Sequence, residues 1–337
     1  MININKKVKV IQGCLPGQIP KEIFSSSEPL ILKGLAASWP IVQAGLSANE
    51  DVEQYLLQFY KGQEVAAFLG KPENNGRIFY DEKLTGFNYD TVTTKLDFAL
   101  KQLALHAGNQ FPPSIYIGST SVDTYLPGFR AENDLGLDQY NPLVSIWLSN
   151  KCRIAAHWDS PLNIACSVVG HRRFTLFPFE QMENLYVGPL DKTPAGQSIS
   201  LVDFYNPDFE QFPKFKEALK HAQVADLEPG DGIFIPSMWW HHVESLDALN
   251  ILVNYWFMDV PAHFGKAVNA LYHSILSVRG LSEAQRKAWK LMFDHYVFDY
   301  EENNFQHIPE HAQGAIGELT DESARKIRAR LQNQLNR

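Results

Sequence analysis

The chain has 337 residues, enough for two average domains or for one large β-rich domain with additions, and a core of that size closes without a disulfide or structural metal. Hydrophobic residues make up 45%, charged residues 20% and aromatic residues 12%, which excludes a disordered or low-complexity chain. Lys and Arg total 30 against 38 for Asp and Glu, a net charge of −8, so the basic footprint of a nucleic-acid binder is missing and an anionic membrane is a poor partner.

The first residues lack the apolar stretch of a signal peptide, and no apolar run is long enough to span a bilayer. Three cysteines, Cys14, Cys152 and Cys166, match no zinc spacing and are expected to be reduced thiols of a cytoplasmic protein. Cys166 sits in the apolar run from Ile164 to Val169 and is expected to be buried. Pro29 to Leu35 reads as a strand stopped by Gly34. Val65 to Leu69 and Ile78 to Tyr80 are further strands, and Asp51 to Tyr60 and Leu96 to Leu105 carry the apolar spacing of helices.

From residue 114 to 258 the pattern becomes a succession of short strands broken by Gly, Pro and Asn. They are Ser114 to Ile117, Leu143 to Leu148, Arg153 to His157, Asn163 to Val169, Arg172 to Phe177, Ile199 to Phe204, Gly232 to Ile235, Trp240 to Leu246 and Asn250 to Phe257. Regular spacing of this kind points to a sandwich or barrel. Gly170 stands where a hairpin between two of these strands would turn, and Pro229-Gly230-Asp231-Gly232 is a strong turn signal.

Beyond Pro261 the chain turns helical. Phe264, Val268, Leu271, Ile275 and Val278 recur at three-to-four spacing. Ser282 and Gln285 form a capping-box pattern, and a charged helix starts near Thr320. The expected organisation is therefore mainly β with helical additions. An α/β extension over 1–110 packs on a jelly-roll core over 111–260, and a helical region over 261–337 packs on the core or mediates dimerisation.

The chemistry sits in three places. His157 and Asp159 are two apart, so on a strand an imidazole and a carboxylate project from one face. A surface His and Asp would look the same in sequence. His241 and His242 follow Trp239 and Trp240, and if the sheets close into a jelly roll one of them returns to the first pair. Two histidines and an Asp make the facial set that leaves three positions open on a non-haem iron. Neighbouring histidines on a strand face opposite ways, so only one can serve. The third place is Arg172-Arg173, where alternation turns one guanidinium inward, and a cation inside a small barrel calls for an anion.

His157-x-Asp159, Arg172 and the run from Pro229 through His241-His242 together resemble the JmjC/cupin-like Fe(II)- and 2-oxoglutarate-dependent oxygenases. Within that family the chain is similar to the bacterial cupin-like proteins and to the asparaginyl hydroxylase acting on hypoxia-inducible factor. The resemblance runs from about residue 10 to 260 and includes Pro29 to Pro40. It implies that His157, Asp159 and His241 are the iron ligands, with His242 facing away. It implies that Arg172 pairs with the distal carboxylate of 2-oxoglutarate, in the place of a lysine of the asparaginyl hydroxylase, and that Tyr116 donates to the same carboxylate. Asn163 and Asn254 correspond to amides near the metal and the proximal end of the cosubstrate, and Trp256 to an aromatic wall. Ile154 stands where the family has a cosubstrate-binding threonine.

The implied activity is hydroxylation of an unactivated C–H bond of a protein side chain or small molecule, with Fe(II), 2-oxoglutarate and O2 consumed or used and succinate and CO2 released. A homodimer is implied by the analogy. Two other readings fit the same motifs: a metal-dependent cupin that does not use 2-oxoglutarate, and a non-catalytic binding or scaffold protein. The inward carboxylate clamp of Arg172 and Tyr116 argues against the former. The intact His157-Asp159-His241 set argues against the latter.

Overall fold

Strand residues alternate between two buried faces through much of the chain, and the computed structural model, which describes residues 2, 4–258, 260–261 and 263–336, orders them into a nine-stranded and a five-stranded sheet. In chain order the strands are β1 Lys9–Ile11, β2 Leu30–Leu32, β3 Glu64–Gly70, β4 Arg77–Ile78, β5 Tyr89–Lys95, β6 Ser114–Ser121 and β7 Leu143–Ser149. There follow β8 Arg153–His157, β9 Leu162–Val169, β10 Arg172–Phe177, β11 Gln223–Leu227, β12 Gly232–Ile235, β13 Trp240–Ser245 and β14 Asn250–Phe257. The larger sheet runs β1-β2-β12-β9-β14-β7-β6-β3-β5 and the smaller β11-β10-β13-β8-β4. This is the expected jelly-roll core, with helices after it. Residues Met1–Asp259 form one compact unit and Val260–Arg337 a second.

The larger sheet is covered on both faces, which is why its central strands read as nearly continuous apolar runs. On β14, Ile251, Val253 and Tyr255 point into a core shared with the helices Pro40–Ser47, Asn49–Phe59 and Leu96–Leu105. Leu96, Ala99, Leu100 and Leu103 form the buried stripe of the last of these helices. Each leucine so buried contributes about 2 kcal/mol. The alternate residues of β14, Leu252, Asn254 and Trp256, face the smaller sheet and line a cavity between the two layers.

The segment after β2 docks on the Pro229–Gly232 turn. The Ala36 amide donates to the Gly230 carbonyl at 2.8 Å, and buried Asp231 accepts from the Gly34 amide and from Lys33 Nζ, each at 2.9 Å. Gly230 has φ +93°, and a Cβ there would lie 2.9 Å from the Ala37 Cα, so only glycine fits.

Several expectations need correction. Ile199 to Phe204 is not a strand. Its apolar residues alternate because Ile199 packs on Phe79 and Tyr80 while Val202 and Phe204 pack on Phe215, and only Ser200 makes an isolated bridge, to Val187. Gly170 does not turn a hairpin. β9 and β10 lie in different sheets, so the turn carries the chain across the roll, with φ +73° at Gly170 and Asn250 Oδ1 2.6 Å from where a Cβ would sit. The strand at Pro29 to Leu35 is only Leu30–Leu32, and that at Ile78 to Tyr80 is Arg77–Ile78, with Tyr80 bridging to Phe87 instead. All three cysteines are free and buried.

Taken by itself, the unit Val260–Arg337 contains helices Ala267–Ser277, Glu283–Phe293 and Asp321–Leu335. The capping box forms as read: Ser282 accepts from the Gln285 amide, and Gln285 Oε1 accepts from the Ser282 amide at 3.1 Å. A second box at Thr320 and Ser323 starts the last helix. No helix among the described residues is long and apolar enough to cross a membrane.

Candidate metal centre

β8 and β13 are neighbours, and their register sets His157 opposite His241. The two rings lie 4.3 Å apart between centroids. β8 ends at His157, so Asp159 reaches the same place from the loop beyond it rather than from the strand. That loop is pinned to the turn preceding β13: the Met238 amide donates to the Asp159 carbonyl at 2.8 Å and Ser237 Oγ donates to the Ser160 carbonyl at 2.5 Å. Met238 holds φ +67°, a costly conformation for a side-chain-bearing residue, and it is stored beside the site. One ligand atom from each of His157, Asp159 and His241 falls within 4.8 Å of the others, the one such convergence of metal-ligating side chains among the described residues.

The hydrogen bonds around the three select which atoms face the centre. His157 Nδ1–H donates to the Ala155 carbonyl at 2.9 Å, and His241 Nδ1–H donates to the Trp239 carbonyl at 3.0 Å. A carbonyl can only accept, so each ring donates through Nδ1 and turns Nε2 toward the centre, as metal-bound histidines do. Trp256 Nε1–H donates to Asp159 Oδ2 at 3.1 Å, and His241 Nε2 lies 3.5 Å from the same oxygen. Burial, and then the neighbouring His241, push His157 down to about 4, so its ring is neutral near pH 7. Burial works to raise Asp159, but His241 and Trp256 outweigh it and hold the carboxyl below its ordinary range. His242 faces the other way, as alternation requires, and stacks on Phe204 at 4.8 Å.

The cavity in front of the triad has a volume of about 390 Å³. Arg172 enters it from β10 and is 3% exposed, while Arg173 points outward to Asp226 at 2.6 Å. Burial lowers Arg172 to about 10, so it stays charged at neutral pH. Its Nε and Nη2 have no partner among the described residues. A buried unpaired charge is costly, so this guanidinium marks a place for an anion. Tyr116 lines the cavity, and burial pushes its hydroxyl well up, so it is a donor. Ile154 lines it as well and offers no hydrogen bond.

The amides form a chain. Trp147 Nε1–H donates to Asn254 Oδ1 at 2.7 Å, and Asn254 Nδ2–H donates to Asn163 Oδ1 at 3.2 Å. Trp147 packs edge-on to Trp256 at 5.6 Å, and Tyr116 and Phe68 continue the row of rings. All eight residues singled out in the sequence thus line one cavity: His157, Asp159, His241, Arg172, Tyr116, Asn163, Asn254 and Trp256. Trp147 lines the cavity, while Trp39 and Trp239 are buried. Sequence alone does not reveal the bond from Trp256 to Asp159. The only trace of it in sequence is that Trp256 stands two residues from Asn254, on the same face of a strand.

These residues fit a divalent metal with a bidentate carboxylate ligand: two imidazoles, a carboxylate, three positions left open, and a buried cation awaiting an anion. The profile of the Cupin-like domain family matches residues 16–263. Over 151 residues the chain is 30% identical to human HSPB1-associated protein 1, covering 43% of this chain and 30% of that protein. Over 231 residues it is 34% identical to Lysine-specific demethylase 8 of Xenopus tropicalis, covering 68% of this chain and 48% of that protein. Over 126 residues it is 31% identical to Lysine-specific demethylase JMJ31 of Arabidopsis thaliana, covering 36% of this chain and 22% of that protein. The matched stretches span less than half the length of each of these relatives.

Proposed function

The chain belongs to the Cupin-like domain family, and from that premise we propose that it is an Fe(II)- and 2-oxoglutarate-dependent oxygenase that hydroxylates a C–H bond of a protein side chain or small molecule. The observation that carries the reading is Arg172, a charged guanidinium buried in the same cavity as the triad with two of its nitrogens unpartnered. A cupin that binds only a metal has no use for it. A five-carbon dicarboxylate that chelates the metal at one end needs such a group at the other.

In this reading His157 and His241 would hold the iron through Nε2 and Asp159 through its carboxylate. Arg172 and Tyr116 take the distal carboxylate. Asn163, fixed by Asn254, which is fixed in turn by Trp147, orients the proximal end. When bound, iron and 2-oxoglutarate supply the oxidising chemistry, in which O2 is consumed, the cosubstrate leaves as succinate and CO2, and one oxygen atom enters the substrate. Phe174, Val243 and Leu252 make the rest of the lining apolar and exclude water. Ile154 leaves the cosubstrate without a threonine bond, so Arg172 carries more of its orientation. The relatives named as lysine-specific demethylases support a protein substrate. We also read the protein as cytoplasmic, in keeping with three buried, free thiols, and as a homodimer. Exposed Leu276, Leu291 and Phe298 of the helical unit would be covered by a second copy, and light scattering of the full chain should give twice the monomer mass.

The test is an anaerobic titration of the Fe(II)-loaded protein with 2-oxoglutarate, following the visible metal-to-ligand charge-transfer band. A saturable band is expected, absent in His157→Ala and weakened in Arg172→Ala. Bound iron without a band would instead make this a metal-dependent cupin that does not use 2-oxoglutarate.

A further inference from the structure

Beside the metal cavity lies a second, wider cleft of about 800 Å³, and the two share a partition. On the β4 segment Ile78 faces the cavity while Arg77 and Phe79 face the cleft. The carboxylates of Asp81, Glu82, Asp90, Asp203 and Asp208 line the cleft, so water fills it. An unbroken row of aromatic rings crosses the partition. It begins at Trp256, whose Nε1–H donates to Asp159 Oδ2. It passes to Trp147 at 5.6 Å, Tyr116 at 6.2 Å, Phe68 at 5.9 Å and Tyr89 at 4.7 Å, each distance taken between neighbouring ring centroids. The first four rings line the cavity and Tyr89 lines the cleft.

Strand register builds the row. Trp147 and Trp256 stand on the neighbouring strands β7 and β14, Tyr116 and Phe68 are cross-strand partners on β6 and β3, and Gly70 of β3 is paired with Tyr89 at the start of β5. Rings on one face of adjacent strands touch at these spacings. Apart from Phe68 the members are indoles and phenols, the aromatic side chains that give up an electron most readily. The indoles come first and a phenol comes last. A phenol that can release its proton is easier to oxidise than an indole, so an electron deficit entering at Trp256 runs downhill to a tyrosine in reach of water. Tyr116 is buried beside the charged Arg172, which repels such a deficit. Tyr80 lies beyond Phe87 on the far side of Tyr89, and its hydroxyl is sealed and has no partner among the described residues. Tyr89 is half-buried on the cleft wall, where its phenol meets water.

In the oxygenase reading, on which the inference rests, activated oxygen arises at the metal whether or not a substrate fills the cavity. We propose that the row carries one-electron oxidation from the metal out to Tyr89 when the substrate position is empty, a discharge route that spares the triad. One electron passes inward along the row to the oxygen-derived oxidant at the metal, which takes a proton from cavity water. At the other end Tyr89 gives up that electron and passes its phenolic proton to water in the cleft, becoming a neutral tyrosyl radical. A thiol or enediol reductant reaching the cleft returns a hydrogen atom and restores the phenol.

The experiment exposes the full-length protein, loaded with Fe(II) and 2-oxoglutarate and given no substrate, to O2, freeze-quenches it and records its electron paramagnetic resonance. A tyrosyl radical is expected, narrowed by ring-deuterated tyrosine. It should be absent in Tyr89→Phe and unchanged in Tyr80→Phe, with the same succinate yield in both variants as in wild type. Tyr89→Trp should give a tryptophanyl radical in its place. An equal tyrosyl signal in Tyr89→Phe, or succinate without a radical, overturns the row. A second measurement needs neither iron nor cosubstrate, so failure of the oxygenase reading, seen as absent succinate, is distinguished from failure of the row. Azide radicals from pulse radiolysis oxidise indoles first, and the tryptophanyl absorbance should then pass to tyrosyl absorbance with a first-order component that is missing in Tyr89→Phe. Identical kinetics in wild type and Tyr89→Phe overturn the proposal.

Discussion

The metal cavity and the cleft beside it stand on two sides of one wall and are built by opposite means. In the cavity each polar group is placed by strand register or by a directed hydrogen bond: His157 opposite His241, Asp159 tied to Trp256, Asn163 tied through Asn254 to Trp147. The unpartnered guanidinium of Arg172 is the exception, and it is the part addressed to a ligand. In the cleft most of the carboxylates sit in loops, and Glu82 and Asp90 are solvent-facing. A chemical step needs atoms fixed to within a fraction of an ångström, and paired strands provide that.

The sharpest way to break this contrast is to remove a ligand. His157→Ala should weaken Fe(II) binding by at least about a hundredfold, since changes one shell further out already cost 10–100-fold. Succinate formation should vanish with it. Undiminished turnover in that variant would sink the triad. Next, Arg172→Ala should raise the 2-oxoglutarate Kd by about 10–100-fold, the value of a charge-assisted hydrogen bond of about 1.5–3 kcal/mol. Arg172→Lys should recover part of that loss and keep iron binding intact. A smaller effect is expected from Trp256→Phe, which keeps the wall and removes the N–H bond to Asp159. Calorimetric titration with Mn(II) should show affinity falling by about tenfold; unchanged affinity would reduce Trp256 to packing.

The two regions were also unequally legible in sequence. The cavity could be read because strand alternation decides facing: Arg172 in and Arg173 out, His241 in and His242 away, Asn254 and Trp256 on one side. The motif around Pro229 to His242 and the resemblance it carried then joined residues 84 apart. The cleft could not be read, because segments 69–90 and 201–212 meet there only through the fold. β5, Tyr89–Lys95, went unseen since its outer face is polar, although Thr91, Val92, Thr93 and Thr94 are β-branched. Ile199 to Phe204 misled for the converse reason: burial on alternate residues imitates a strand even where no ladder forms. Periodicity reports which side chains are covered. It does not report whether the backbone is paired with a neighbour, and at Gly170 it could not tell a hairpin from a crossing between sheets.

The indole of Trp256 has an optical consequence. Its N–H touches a carboxylate of the triad, and Trp147 lies 5.6 Å away. Excitation absorbed by Tyr116 passes readily to indoles at this range, so emission collected along the row of rings ends beside the metal position. An open-shell ion there will quench that emission, and a closed-shell ion such as zinc will not. The difference spectrum between wild type and Trp256→Phe isolates this signal from the other tryptophans. The protein therefore reports by its own light which ion it has taken up, with no label attached.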